Sequence, residues 1–267
     1  MTRAFTRAVS PRLAECALTH LDRVPIDASK AALQHAIYEQ ALAEAGMEII
    51  RLPELADDPD AVFVEDTALL LDGHAVITRP GAASRIGETS STADGLSEHF
   101  QLHRIERGHV DGGDVLRIGN FLYVGLSSRT DRDGITAVAD LARPLGYEVV
   151  EARLRDCLHL KTCATLIGAD SSGTAVLLYC ASLVDPAQFA GVEPLAVDEP
   201  AAANCVRAGD RLILPAGNPR TADRLRQRGF AVVEVDVSEL QKAEAGVTCM
   251  SLIDERPYRL TVSMPRS

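Results

Sequence analysis

Every 44 to 48 residues the chain repeats one unusual arrangement. A run that is apolar apart from one or two chemically capable residues is followed by a turn and usually a second apolar run. The capable residues are Asp66 in VFVEDTALLL, Asp111 in VDGGDVLRIG, His159 in LHLKTCATLIG, Cys205 in ANCVRAG and Cys249 in VTCMSLI, separated by 45, 48, 46 and 44 residues. A period of about 40 to 50 residues points to a propeller or another repeat architecture. In a closed ring the same position of every repeat converges on the axis. Two carboxylates, a histidine and a cysteine, far apart in sequence, are then expected to meet.

The repeat unit can be read further. Residues 62–71 and 74–80 read as strands paired about Asp72-Gly73, the dipeptide of a two-residue hairpin. Residues 115–119 and 121–126 repeat this about Gly119-Asn120. Residues 164–169 and 174–179 do so about 171–173, and 204–209 and 211–217 about Gly209-Asp210. Helical patterns at 133–146 and 218–230 lead into further strands at 147–152 and 231–237. The unit is ββαβ, present about five times. The last hairpin, beginning at Cys249, has no helix after it. An N-terminal strand (3–10, ended by Pro11), a helix (28–46) and a strand (47–53) would complete that unit and close the ring. In the helix Leu33, Ile37, Ala41 and Ala45 share a face, Ser29 is the expected cap and Gly46 the stop. One α/β domain spanning 1–267, a five-bladed α/β propeller, is the expectation. Tight hairpins exclude an all-parallel doubly wound sheet, whose connections must be crossovers.

Hydrophobic residues make up 46% of the 267, enough for a sizeable core, built without tryptophan. The net charge of −11 argues against general affinity for nucleic acid or anionic membrane, and suits a cationic ligand. No apolar run approaches the roughly 18 residues of a membrane span, and the N-terminus lacks a signal-peptide core. The six cysteines include no CxxC, which reads as reduced thiols of a cytoplasmic protein.

Taken singly, the capable residues are unremarkable. A lone cysteine is usually a small buried hydrophobe, a histidine in an apolar run usually structural, and Asp111 before Gly112-Gly113 could simply open a turn. Glu65 and Asp66 are harder to dismiss. On a strand they would point to opposite faces, so at least one would be buried and need a partner. Together the residues supply a nucleophile (Cys249), a base (His159) and an orienting acid (Asp111) on different repeats. Asp66 remains as a carboxylate facing the same centre. Beside a nucleophilic sulfur it opposes attack on an ester but suits a carbon that carries positive charge, as in a guanidinium or amidinium.

FVED (63–66), DGGD (111–114), Arg129 in GLSSRT, LHLKT (158–162), AANC (202–205) and TCMSL (248–252) together resemble the dimethylarginine dimethylaminohydrolase family of the guanidine-modifying, or pentein, superfamily. The resemblance runs from about Leu18 to Leu252. It implies a five-bladed propeller of ββαβ modules and hydrolysis of methylated arginine to citrulline without metal or cofactor. It implies Cys249 as nucleophile, His159 as general acid/base and Asp111 as its orienting acid, where some members carry the longer Glu. Asp66 would bind the guanidinium, with Glu65 beside it. Asp60, Arg85 and Arg129 would hold the amino-acid end, Phe63 would form a wall, Leu18 would lie on a mobile covering loop, and Glu244 would face the α-amine. The implied chemistry has an imidazolium at His159 lowering the Cys249 pKa, then protonating the departing amine. A covalent thiouronium is left for water to hydrolyse.

Members of the superfamily can be dimers, which leaves a homodimer open. Cys157-x-His159-x3-Cys163 could alternatively be part of a zinc site, although no fourth ligand is evident. The other functions to weigh are an arginine deiminase or amidinotransferase, for which 267 residues leave little room, and a non-catalytic ribosome-binding propeller, which would have no need of the Cys, His and acid set.

Overall fold

The computed structural model describes residues 2–171 and 173–255. Strand β1 (Arg3–Thr6) leads through helix α1 (Ala28–Glu44) to β2 (Glu48–Arg51). The second unit is β3 (Ala68–Leu71), β4 (His74–Ile77), α2 (Glu88–Leu96) and β5 (Gln101–Arg104). The third is β6 (Val115–Ile118), β7 (Phe121–Leu126), α3 (Arg132–Ala142) and β8 (Glu148–Arg153). One turn of helix, α4 (Leu160–Cys163), opens the fourth unit, β9 (Ala164–Ala169), β10 (Ala175–Tyr179) and β11 (Glu193–Ala196). The fifth is β12 (Val206–Ala208), β13 (Arg211–Pro215), α5 (Pro219–Gln227) and β14 (Ala231–Val235). A short α6 (Ser238–Gln241) and β15 (Leu252–Asp254) follow.

These strands form five three-stranded sheets of one design, an antiparallel hairpin with a third strand added in parallel through the crossover. The hairpin at Asp72-Gly73 has positive φ at both turn residues (44° and 98°), as a two-residue turn matching strand twist requires. The expected closure is present: β15 runs antiparallel to β1, and β1 pairs in parallel with β2, so the two ends of the chain share a blade. Arg3 Nη2 fastens it, 2.7 Å from Asp254 Oδ2. Inner strands of neighbouring blades meet as β15 against β3, β6 against β9 and β9 against β12. The result is the five-bladed α/β propeller.

Several details differ from expectation. The first strand ends at Thr6. In the fourth unit the crossover between β10 and β11 carries only a short 3-10 turn, Pro186–Gln188. The expected turn at 171–173 includes Ser172, which lies outside the described residues. The cap of α1 is Asp27, whose side chain accepts the Lys30 N–H, while Ser29 is inside the helix. Of the expected apolar face, Leu33 and Ile37 are 68% and 52% exposed, while Ala41 is buried and Ala45 packs against the core. The buried face carries Ala31, Gln34, His35, Tyr38, Glu39, Ala41 and Leu42. Two of its polar members are partnered across elements: Thr6 donates to Glu39 at 2.7 Å and Gln34 to Ser238 at 2.9 Å, while His35 Nε2 is buried without a partner. Buried Gln34 and Glu39, satisfied from other elements, therefore disguise the inner face.

Candidate active site

The residues singled out by the repeat are not on strands. Val64–Thr67, Gly112–Asp114, Leu160–Cys163, Pro200–Ala203 and Thr248–Met250 are each one tight helical turn placed just before an inner strand. The 64–67 turn touches those at 112–114 and 248–250, and the 160–163 turn touches those at 112–114 and 200–203. Five turns thus ring one end of the axis. Glu65 and Asp66 do not alternate as strand neighbours. Both are buried on a turn, and they separate to opposite sides of the ring's centre.

Asp66 faces a small cavity whose walls include Asp60, Phe63, Arg85, Arg129, His159, Glu244 and Cys249. Arg85 Nη1 donates to Asp66 Oδ2 at 2.6 Å, and the Gly113 N–H donates to Oδ1 at 3.1 Å. Burial pushes the Asp66 carboxyl up, but His159 and Arg85 outweigh it and hold the group below the usual range. Asp111, fully buried, accepts the Gly81 N–H at 2.8 Å on one oxygen and faces His159 Nε2 at 3.0 Å with the other. Its reach therefore suffices. The other ring nitrogen of His159 lies 3.8 Å from Asp66 Oδ1. Burial works against a charged ring, yet Asp66, the Asp111 hydrogen bond and Asp114 raise its pKa to about 9. The glycines of DGGD serve this packing more than a turn. A Cβ on Gly113 would sit 2.7 Å from the His159 ring and 2.8 Å from Asp66.

Cys249 accepts the Gly246 N–H at 3.4 Å. In the free protein the surroundings of the Cys249 thiol act against its ionisation. Burial pushes the thiol far up, Glu65 and Asp66 push it further, and the resting sulfur is protonated. His159 and Cys249 nonetheless line the same cavity.

The remaining expected residues divide. Asp60 is buried and lies on the wall; burial raises its pKa, and its carboxylate accepts the Ala17 N–H at 3.1 Å. Phe63 is a buried wall. Arg129 Nη2 donates to Thr19 Oγ1 at 2.8 Å, and its Nη1 lies 3.8 Å from Asp111. Arg85 spends its donors on both Glu88 oxygens, one Asp66 oxygen and the Phe63 carbonyl, so Glu88 is its main partner and it braces Asp66. Leu18 is not on the wall; its neighbour Ala17 is. The Glu244 carboxylate is turned to the loop above the cavity, where it accepts the N–H groups of Thr19, His20 and Leu21. Glu65 faces away from the cavity, 2.6 Å from Lys161 Nζ, and accepts the Thr248 hydroxyl at 2.7 Å. Beyond that pair lies a second cavity of about 240 Å³ among the inner strands. It is the larger of the two, but Asp66, His159 and Cys249 all open to the smaller.

Sequence reasoning missed four supporting residues. Asn204 is the polar member of its turn in the fourth repeat: its amide donates to the Lys161 carbonyl and accepts the Thr248 N–H at 3.0 Å. Cys205 beside it is buried in the core. Asp114, whose carboxyl burial lifts to about 6, accepts the Leu160 N–H at 2.9 Å and the Ser127 hydroxyl at 2.6 Å, which ties His159's turn to the Arg129 loop. Glu88 neutralises Arg85, and Lys161 pairs with Glu65. A lysine inside an apolar run and an Asn beside the chosen Cys were the available signals.

Among the described residues one group, Asp66, Asp111 and His159, places possible metal-ligand atoms within 4.8 Å of one another. The protonated His159 ring already supplies a positive charge between those carboxylates. The zinc reading of Cys157 and Cys163 fails on direction. Their thiols donate to the His159 and Leu160 carbonyls, while the His159 ring turns the other way, to Asp111.

His159 links the site to stability. Its pKa rises from about 6.5 in an unfolded chain to about 9, so its contribution is complete below the lower value and is lost as pH climbs through the upper. At about 1.4 kcal/mol per unit the loss is on the order of 3 kcal/mol. Urea midpoints should fall between pH 6.5 and 9.5, and His159→Gln should flatten that fall. Equal slopes in the two proteins would remove His159 as the cause.

A five-bladed ring that gathers a cysteine, a histidine and paired acids at one end of its axis defines the class, the guanidine-modifying propellers. The chain is 36% identical over 252 residues to the N(G),N(G)-dimethylarginine dimethylaminohydrolase of Streptomyces coelicolor, which covers 94% of this chain and 96% of that protein. To the enzyme of the same name from Pseudomonas aeruginosa it is 36% identical over 231 residues, 85% and 89% of the two chains. The chain belongs to the dimethylarginine dimethylaminohydrolase family. The Pseudomonas aeruginosa enzyme solved as a cysteine-to-serine variant with citrulline matches with a TM-score of 0.87 at 33% identity, covering 94% of this chain and 98% of that one. The N-terminal domain of ArgZ, a cyanobacterial arginine dihydrolase, shares the fold with a TM-score of 0.78 at 22% identity, covering 95% and 98%. No family model matches the chain.

Proposed function

We propose that the protein hydrolyses N-methylated arginines, asymmetric dimethylarginine and monomethylarginine, to citrulline with release of dimethylamine or methylamine. One observation carries this reading most directly. The buried Cys249 thiol is held protonated by its surroundings and by the Glu65 and Asp66 carboxylates, so it needs an incoming cation before it can react. A guanidinium seated against Asp66 supplies that charge and is itself the electrophile.

In this reading the thiol gives its proton to solvent water as the guanidinium binds, and sulfur attacks the guanidinium carbon. The C–N bond to the methylated nitrogen breaks. His159, protonated at neutral pH because its pKa stands near 9, gives its proton to the departing amine. The neutral ring then takes a proton from water, whose oxygen attacks the thiouronium carbon. Carbon–sulfur cleavage frees citrulline and returns the thiolate. Asp111 holds the ring in place throughout. Asp60 and Arg129 offer a carboxylate and a planar cation to the α-amine and α-carboxylate, and Phe63 bounds the cavity. Each proton is moved by Cys249, His159 or water.

Among the described residues no helix is long and apolar enough to cross a membrane. We place the reaction in the cytoplasm, in keeping with six free thiols, and treat the chain as one catalytic domain. Size-exclusion chromatography with light scattering reads whether it works as a homodimer.

Incubation with asymmetric dimethylarginine, monomethylarginine, arginine and agmatine in separate reactions tests the substrate. Ureido product with equimolar methylated amine is expected from the first two. Ammonia from arginine alone would replace this reading with a deiminase.

A further inference from the structure

Between Cys16 and Asp27 the chain runs as a loop without regular structure, and it is tied across the cavity at three points. The Ala17 N–H donates to Asp60, and Thr19 Oγ1 accepts from Arg129. The third tie is the strongest. The N–H groups of Thr19, His20 and Leu21, three in succession, converge on the Glu244 carboxylate at 2.5 to 3.0 Å. Hydrogen bonds to an ionised acceptor are about twice as strong as neutral ones. Glu244 also has φ = +60°, a left-handed conformation that favours glycine over a residue with a side chain. A glycine there would fold more easily but would leave three loop amides without their acceptor.

We propose that Glu244 is the latch of this loop, a positioning residue that governs entry to and exit from the Cys249 cavity. The three ties differ in what a ligand does to them. Asp60 and Arg129 line the cavity, and a ligand bearing an amine and a carboxylate takes both from the loop. Glu244 also borders the cavity, but its carboxylate is spent on three loop N–H groups, so its bonds survive the exchange and hold the loop over the bound ligand. The proposal rests on the methylarginine reading only for the identity of that ligand. It moves Glu244 from holding the substrate's α-amine to holding the cover above it.

Iodoacetamide labelling of Cys249, followed by peptide mass spectrometry in the free protein, tests this without turnover. Glu244→Gln replaces a charged two-oxygen acceptor with a neutral amide carrying one. Glu244→Gly removes the acceptor and relieves the backbone. Both should label Cys249 about tenfold faster, the equivalent of one charge-assisted hydrogen bond, and Glu244→Gly should melt no lower than wild type. With methylarginine as substrate KM should rise about as much, and kcat should change less. Unchanged labelling with a raised KM would overturn the latch and return Glu244 to the α-amine. Unchanged labelling with a lowered melting temperature would overturn it in favour of a purely structural role. If methylarginines are not turned over at all, the labelling arm still decides the latch, while the substrate reading fails separately.

Discussion

Cys249→Ser should abolish turnover, by about four orders of magnitude or more, while leaving methylarginine binding within a few-fold of wild type. The reason lies in the electrostatics of the cavity. A serine hydroxyl needs a neighbouring base to become a nucleophile, and the one histidine in the cavity already carries its proton up to a pH of about 9. The thiol can be ionised by an approaching cation; a hydroxyl, several units more basic, cannot. Nothing that holds the guanidinium or the amino-acid end is removed by the change. Isothermal titration against asymmetric dimethylarginine checks the binding, and citrulline release checks the chemistry. Activity within tenfold of wild type would end the nucleophile assignment.

His159→Gly should trap the reaction halfway. The ring is the proton donor for the first step and the proton acceptor for the second, and general acid–base help of this kind is worth about 10²–10⁴-fold. With a substrate whose leaving group needs no protonation, the first step proceeds and the second stalls. Intact-protein mass spectrometry should then show an adduct, and peptide mapping should place it on Cys249. An adduct on any other cysteine would refute the site. Added imidazole should restore part of the turnover by filling the vacated space. The same variant leaves Asp66 and Asp111 without the cation between them. Removing one partner of a buried charge pair costs about 3–5 kcal/mol, so the assay belongs well below the melting temperature.

The ring and its hairpins were legible because turn chemistry and apolar runs agree locally, as at Asp72-Gly73. The spacing of Asp66, Asp111, His159 and Cys249 indicated one meeting point, and all four reach one end of the axis. Their local structure was not legible. An acid inside an apolar run looks like a strand residue, yet here tight turns form before each inner strand and let carboxylates 45 residues apart approach the same ring. The buried face of α1 was hidden for a related reason, since Gln34 and Glu39 find partners on other elements. Asn204 was eclipsed by Cys205, although an amide that donates and accepts at once can brace two neighbouring turns and a thiol cannot. The placement of Glu244 depends on a positive φ that a glutamate does not advertise.

The pairing of β1 with β15 has a consequence for how the molecule is made. The N-terminal strand is synthesised first, yet its hairpin partner is residues 252–254. On the ribosome the intervening blades can assemble while β1 waits with an open edge, a contact of the long-range kind that forms late and slowly. Cys249 is translated only a few residues before that partner, on the turn that leads into it. Asp66, Asp111 and His159 are therefore made well before Cys249, and the four meet only once the ring has closed.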